Sequence, residues 1–145
     1  MKKRISIKEI EPDAYKAMYE LENYTKTSEL PIKLRQLIKI RASQINHCAY
    51  CVEMHTEHAI TEGENESRIF ALPVWKESHL FTEEEKAVLQ LTEEITLISE
   101  HGVKEDTYTN VINLYDEKLL SQIIMQIVVI NSWNRIAVST KMIYK

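Results

Sequence analysis

Two glycines and three prolines serve the whole 145-residue chain. Tight hairpins and phosphate-cradling loops depend on glycine, and proline punctuates irregular connections. A chain so poor in both lacks the material for a many-stranded β fold or a doubly wound nucleotide-binding fold. An all-α protein is the natural expectation. The length suits one domain over 1–145, large enough to bury a core without covalent staples. With 44% hydrophobic and 28% charged residues, the chain is too apolar for a disordered one. A formal net charge of −4 argues against generic nucleic-acid binding, which favours basic patches. Two cysteines are too few for a secreted disulfide framework. The basic start, MKKRISIKEIEP, is followed by no apolar stretch of signal-peptide length. The longest apolar run, Ile123 to Ile130, contains Gln126 and falls far short of the roughly 18–20 residues a membrane span needs. A cytoplasmic, non-membrane protein is expected.

Apolar periodicity then places the helices. Pro12 suits a first helical turn, and Ala14, Met18, Leu21 and Tyr24 recur every three or four residues, predicting a helix over 12–26. Leu34, Leu37, Ile38, Ala42 and Ile45 predict a second over 31–45. A third runs from about Cys48 to Glu62 and stops at Gly63. Asn65 can cap a short helix reaching Leu72, with Pro73 ending it. Thr82 and Glu85 form a capping-box signature that opens a helix carried by Val88, Leu91, Ile95 and Ile98 to near Gly102. A shorter helix is expected over 105–114. Asp116 can cap a last one running to about Thr140, apolar on nearly all sides and hence buried in the core or at a subunit contact. Its β-branched residues leave a strand at 123–130 as the alternative.

Both cysteines fall in one stretch, Cys48-Ala49-Tyr50-Cys51, followed after three intervening residues by His55. On a helix, positions 48, 51 and 55 share one face. A free thiol is only a few per cent thiolate at neutral pH, and a helix N-terminus favours the anion. An imidazole one turn away can accept the thiol proton. Peroxide oxidises such a thiolate to a sulfenic acid, which a second cysteine converts to a disulfide. The trio is therefore sufficient for thiol peroxidase or disulfide-exchange chemistry. Two other readings stay open. Cys48, Cys51 and His55 could be three zinc ligands, with His47 or His58 as a fourth. The cysteines could also be inert core residues.

Leu34 through Cys51, the continuation through His55 to Gly63, Leu91-Thr92-Glu93 and Ile130 through Arg135 resemble the AhpD-like, or carboxymuconolactone decarboxylase, family. The resemblance covers most of the chain. It implies an all-α AhpD-like helical bundle that assembles as a homo-oligomer, a trimer or hexamer. It also implies an antioxidant alkyl hydroperoxidase with no bound cofactor and no metal. A small hydroperoxide would be the substrate, and a lipoyl-protein or thioredoxin-like dithiol would restore the enzyme. Carried over from the family, Cys51 is the peroxidatic cysteine, Cys48 the resolving one, and His55 part of the proton relay.

The sequence departs from that pattern at two places. Twelve residues before the first cysteine the family has a glutamate, and here Gln36 stands. An amide can orient an imidazole but cannot take its proton. Tyr50 stands where some members have a histidine. Glu93 is the candidate carboxylate to replace the missing one, against a structural role for the same residue. The decarboxylase branch lacks the cysteine pair, so lactone decarboxylation is not expected. A non-catalytic redox sensor or interaction module remains the alternative function.

Three further features are ambiguous in sequence. Trp133-Asn134-Arg135 interrupts the last helix and either packs and pairs or lines the thiol pocket. The connection over 73–81, with Trp75, His79 and Phe81, is either a packed link or a cover for the pocket. Glu83-Glu84-Glu85 reads as a solvated first turn complementing the helix dipole.

Overall fold

The computed structural model describes residues 2–145. Among them the chain forms helices and no strand. These are α1 (Ile7–Ile10), α2 (Pro12–Lys26), α3 (Ile32–Ile45), α4 (Ala49–Thr61), α5 (Glu66–Ala71), α6 (Glu83–Thr96), α7 (Ile98–His101), α8 (Glu105–Leu114) and α9 (Glu117–Thr140), with a 3-10 segment at Leu72–Glu77. The strand alternative at 123–130 is excluded, because that run lies inside α9. Burial on several sides, supplied by tertiary packing, overrides the weak helix propensity of its β-branched residues.

The cap chemistry behaves as the sequence indicates. Thr82 accepts the Glu85 N–H while the Glu85 side chain accepts the Thr82 N–H, closing the capping box of α6. Asp116 caps α9 through the Leu119 N–H, and Asn65 caps α5 through the Ser67 N–H. One boundary differs from expectation. The helix opened at Thr82 does not run to Gly102 but breaks at Leu97. The break returns the chain, so that the Glu94 carboxylate accepts the Lys104 N–H that leads into α8, at 3.1 Å. The short helix α5 ends at Ala71 as expected, and Pro73 then occupies the first turn of the separate 3-10 segment, where its missing N–H is not needed.

Helix α3 lies at the centre, against α4, α6 and α9. On one side Leu34, Ile38 and Ala42 meet Val88 and Leu91 of α6 and Ile123, Ile127 and Ile130 of α9. On another, Leu37 and Ile40 meet Ala59, Leu72, Trp75, Phe81 and Leu89. Burying each large aliphatic side chain contributes about 1.5–3 kcal/mol, so these two clusters dominate the stability of the bundle. Trp75 and Phe81 thus make the 73–81 connection part of the core rather than a cover over a pocket. The acidic turn at 83–85 divides likewise. Glu83 and Glu84 are exposed, whereas Glu85 is half-buried and pairs with Arg68 at 2.7 Å. No described helix is long and apolar enough to cross a membrane.

Candidate active site

A short turn at residues 46–48 joins α3 to α4 and sets the first cysteine. His47 takes a left-handed conformation there, with φ of 53°. The Cys48 N–H then donates to the Ser43 carbonyl at 2.9 Å, and Cys48 becomes the N-cap of α4. Its Sγ accepts the Cys51 N–H at 3.3 Å. Cys51 follows in the first turn of α4, and the two sulfurs are joined in a disulfide, with Cα atoms 5.3 Å apart. The cysteines are therefore a bonded pair rather than two inert core thiols. Among the described residues no three His, Cys, Asp or Glu side chains converge as a metal site. Both cysteines are buried, packed against Ala137 of α9.

The turn is held from α9 by an amide network. Asn46 donates to the side-chain oxygens of Asn131 and Asn134, each at 2.9 Å. Asn134, fully buried, donates to the Ser43 hydroxyl at 2.9 Å. Arg135 donates to the Asn131 side chain at 3.0 Å. The buried members of this network, Ser43, Asn131 and Asn134, are all paired, as burial demands. The Trp133-Asn134-Arg135 turn thus does two jobs. Asn134 and Arg135 pair to hold the turn, while Trp133 lines a cavity beside the thiols.

That cavity has a volume of about 600 Å³ and reaches Cys51 and His55 but not Cys48. Tyr19, Tyr50, Met54 and Trp133 supply apolar and aromatic wall. Gln36 and Lys39 reach it from α3, and His55, His58 and Glu62 from α4 and its C-cap. The spacing 51, 55, 58, 62 is one helical face, so His58 and Glu62 were legible by extending the face that carries Cys51 and His55.

Two polar pairs stand in the cavity wall. Lys39 Nζ lies 3.6 Å from Glu22, whose other oxygen accepts the Trp133 indole N–H at 3.1 Å. Gln36 Nε2 donates to Glu62 at 2.9 Å, and its Oε1 is buried without a partner. His55 is 6% exposed and its Nδ1 also lacks a partner. Burial, reinforced by the nearby Lys39 charge and by His58, pushes the His55 pKa down to about 3. This imidazole is neutral at physiological pH and a weak base, and it brings no positive charge to Cys51. Burial also lowers the Lys39 pKa, with Glu22 opposing the shift. Lys39 is the buried cation of this cavity.

Glu93 is not the replacement carboxylate. It accepts from Arg41 at 3.0 Å and from the Trp75 indole at 2.8 Å, lies 3.5 Å from Lys76, and is absent from the cavity wall. Three partners hold it as a structural ion between α3, α6 and the 3-10 segment. The carboxylates beside Cys51 are instead Glu22 and Glu62.

Comparison with known proteins identifies the family and the fold. Residues 12–94 match the carboxymuconolactone decarboxylase family model. The uncharacterized protein YdfG of Bacillus subtilis (strain 168) is 45% identical over 139 residues, spanning 96% of this chain and 95% of that one. A crystal structure from Agrobacterium tumefaciens superposes with a TM-score of 0.96 at 38% identity, covering 99% of both chains. It is a protein of unknown function proposed as an AhpD antioxidant defence protein. A variant of the debrominase Bmp8 in complex with 2,3,4-tribromopyrrole shares the fold, with a TM-score of 0.85 at 18% identity over 93% of this chain and 72% of that one. With an all-α bundle, a CxxC disulfide at the head of α4 and a family model matched across more than half its length, this chain belongs to the carboxymuconolactone decarboxylase family, in its AhpD-like form.

Proposed function

We propose that this protein is an antioxidant thiol peroxidase of the alkyl hydroperoxide reductase type, cycling between a Cys48–Cys51 dithiol and disulfide. The observation that carries the reading is the disulfide itself, set beside a cavity that Cys51 lines and Cys48 does not. In the reduced protein the Cys51 thiolate attacks the terminal oxygen of a hydroperoxide. The O–O bond breaks, the alkoxide leaves and takes a proton as the alcohol, and Cys51 becomes a sulfenic acid. Cys48 then attacks Cys51 Sγ, the S–O bond breaks, and hydroxide leaves with the Cys48 proton as water. Neutral His55 exchanges the proton of Cys51, and Lys39 supplies the positive charge that favours its thiolate. A dithiol, on a lipoyl or thioredoxin-like protein, restores the pair.

The mostly apolar wall suits the organic part of an alkyl or aryl hydroperoxide. Exposed Phe70 and Val74, four residues apart, offer an apolar contact for the homo-oligomer, a trimer or hexamer working in the cytoplasm. Gln36 in place of a carboxylate fits a slow enzyme and is the feature that supports the redox-sensor alternative.

The test is catalytic consumption of cumene hydroperoxide with excess dihydrolipoamide. Sustained turnover that disappears in Cys51→Ser is expected. A single stoichiometric oxidation without turnover would favour the sensor, and unreacted thiols would end both readings.

A further inference from the structure

The disulfide has a second approach. A wide-mouthed groove of about 320 Å³ opens on Cys48 from the other side of the α3–α4 turn, with Ala49 and Val52 in its wall and Gln44, His47 and Glu53 around it. It shares no lining residue with the larger cavity. Cys51 borders only the cavity and Cys48 only the groove. A thiolate attacks a disulfide sulfur along the line of the bond that breaks, from the far side. The groove borders Cys48 and the cavity borders Cys51, so an attacker on each sulfur would come through a different opening.

His47 stands in this groove under an unusual constraint. It is exposed, it holds a positive φ that a glycine would adopt without strain, and its imidazole makes no hydrogen bond. Nothing in the packing of the turn needs that side chain. Its distinguishing property is a ring nitrogen able to take a proton, next in sequence to the cysteine that borders the groove.

Resting on the peroxidase reading above, we propose that the two half-reactions use opposite faces of the disulfide. A dithiol on a slender chain enters the outer groove and attacks Cys48, with His47 as its general base. His47 takes the proton of the first thiol as that sulfur bonds to Cys48 Sγ. The Cys48–Cys51 bond breaks, and Cys51 leaves as a thiolate on the cavity side, already placed for the next peroxide. The reductant's second thiol then attacks its own sulfur in the mixed disulfide. Cys48 departs as a thiolate and receives the proton held by His47, while the second thiol's proton goes to solvent. The reductant leaves as a cyclic disulfide, having given up two electrons and two protons, and the protein has gained two electrons.

The probe is dihydrolipoamide added to fully oxidised protein, with acid quenching, alkylation and peptide mapping at short times. The mixed disulfide is expected on Cys48. Alongside it, His47→Gly and His47→Asn, both compatible with a left-handed backbone, are compared with wild type in two separate reactions. Reduction of the disulfide by dihydrolipoamide should slow by about ten-fold in both, while oxidation of the reduced thiols by cumene hydroperoxide keeps its rate. Reductant trapped on Cys51, unchanged reduction in both variants, or equal slowing of the two reactions would overturn the proposal. The reductive reaction needs no peroxide, so its outcome stands apart from whether the protein is a peroxidase.

Discussion

Helix α3 buries two faces of opposite chemistry. Leu34, Ile38 and Ala42 run along one, and Gln36, Lys39 and Ser43 along another, all of them less than a tenth exposed. The apolar face meets α6 and α9 and gains free energy from every methylene it removes from water. The polar face has no such return. Burying an ammonium and an amide costs free energy that pairing with Glu22 and Glu62 only partly offsets. The two faces are equally buried for different reasons: one holds the fold, and the other serves the cavity beside Cys51.

Four substitutions or titrations bear on that comparison. The largest effect on stability belongs to the apolar face. Ile38→Ala should cost about 2–5 kcal/mol in chemical denaturation, while the molecules still folded react with peroxide at the wild-type rate. Proportional loss of rate and stability would mean that the faces are not separable.

The buried imidazole gives the next effect. His55 is held neutral with its pKa near 3, whereas an unfolded histidine titrates near 6.5. Between those values the unfolded chain binds the extra proton, so the contribution is complete above about pH 6.5 and is lost as pH falls toward 3, by about 1.4 kcal/mol per unit at most. Denaturation of the oxidised protein across this range should show that slope, and His55→Gln should remove it. Equal slopes in the two proteins would place His55 in solvent.

Lys39→Met tests the polar face directly. Removing the cation should lower the thiolate fraction of Cys51 and slow its reaction with cumene hydroperoxide about ten-fold at neutral pH. Stability should change by no more than about 1–2 kcal/mol, since a long apolar chain fills the same space. A titration of Cys51 reactivity against pH should move upward in parallel. Unchanged reactivity would leave Lys39 a structural ion.

The smallest effect is expected from Gln36→Glu. The new carboxylate would replace the amide that donates to Glu62 at 2.9 Å, and two carboxylates so close must share a proton. Stability should fall by about 1 kcal/mol at pH 7 and recover as the pH is lowered through the raised carboxylate pKa. A rise in peroxide rate in this variant would show that the missing carboxylate limits wild type.

The same two faces explain what could be read in advance. Helix α2 was legible residue for residue, because Pro12 and a three-to-four repeat mark both its start and its course. The all-α class and the Cys48–Cys51–His55 constellation were equally local signals. Lys39 and Glu22 were not. A lysine and a glutamate on amphipathic helices look like solvated surface, and only the tertiary approach of α2 and α3 turns them inward. Of the two readings of Glu93 the structural one holds, and its partner Arg41, 52 residues away, is a tertiary contact with no local sign. The break at Leu97 escaped because its stabilising contact, Glu94 on the Lys104 N–H, joins two otherwise ordinary residues across a turn.

The most direct test of the account is the intact mass of reduced protein after one equivalent of cumene hydroperoxide, for wild type and Cys48→Ser. The account predicts that wild type loses two hydrogens and both free thiols, while the variant gains one oxygen, mapped to Cys51. Thiols left intact in wild type, or the oxygen absent from Cys51 in the variant, would contradict it.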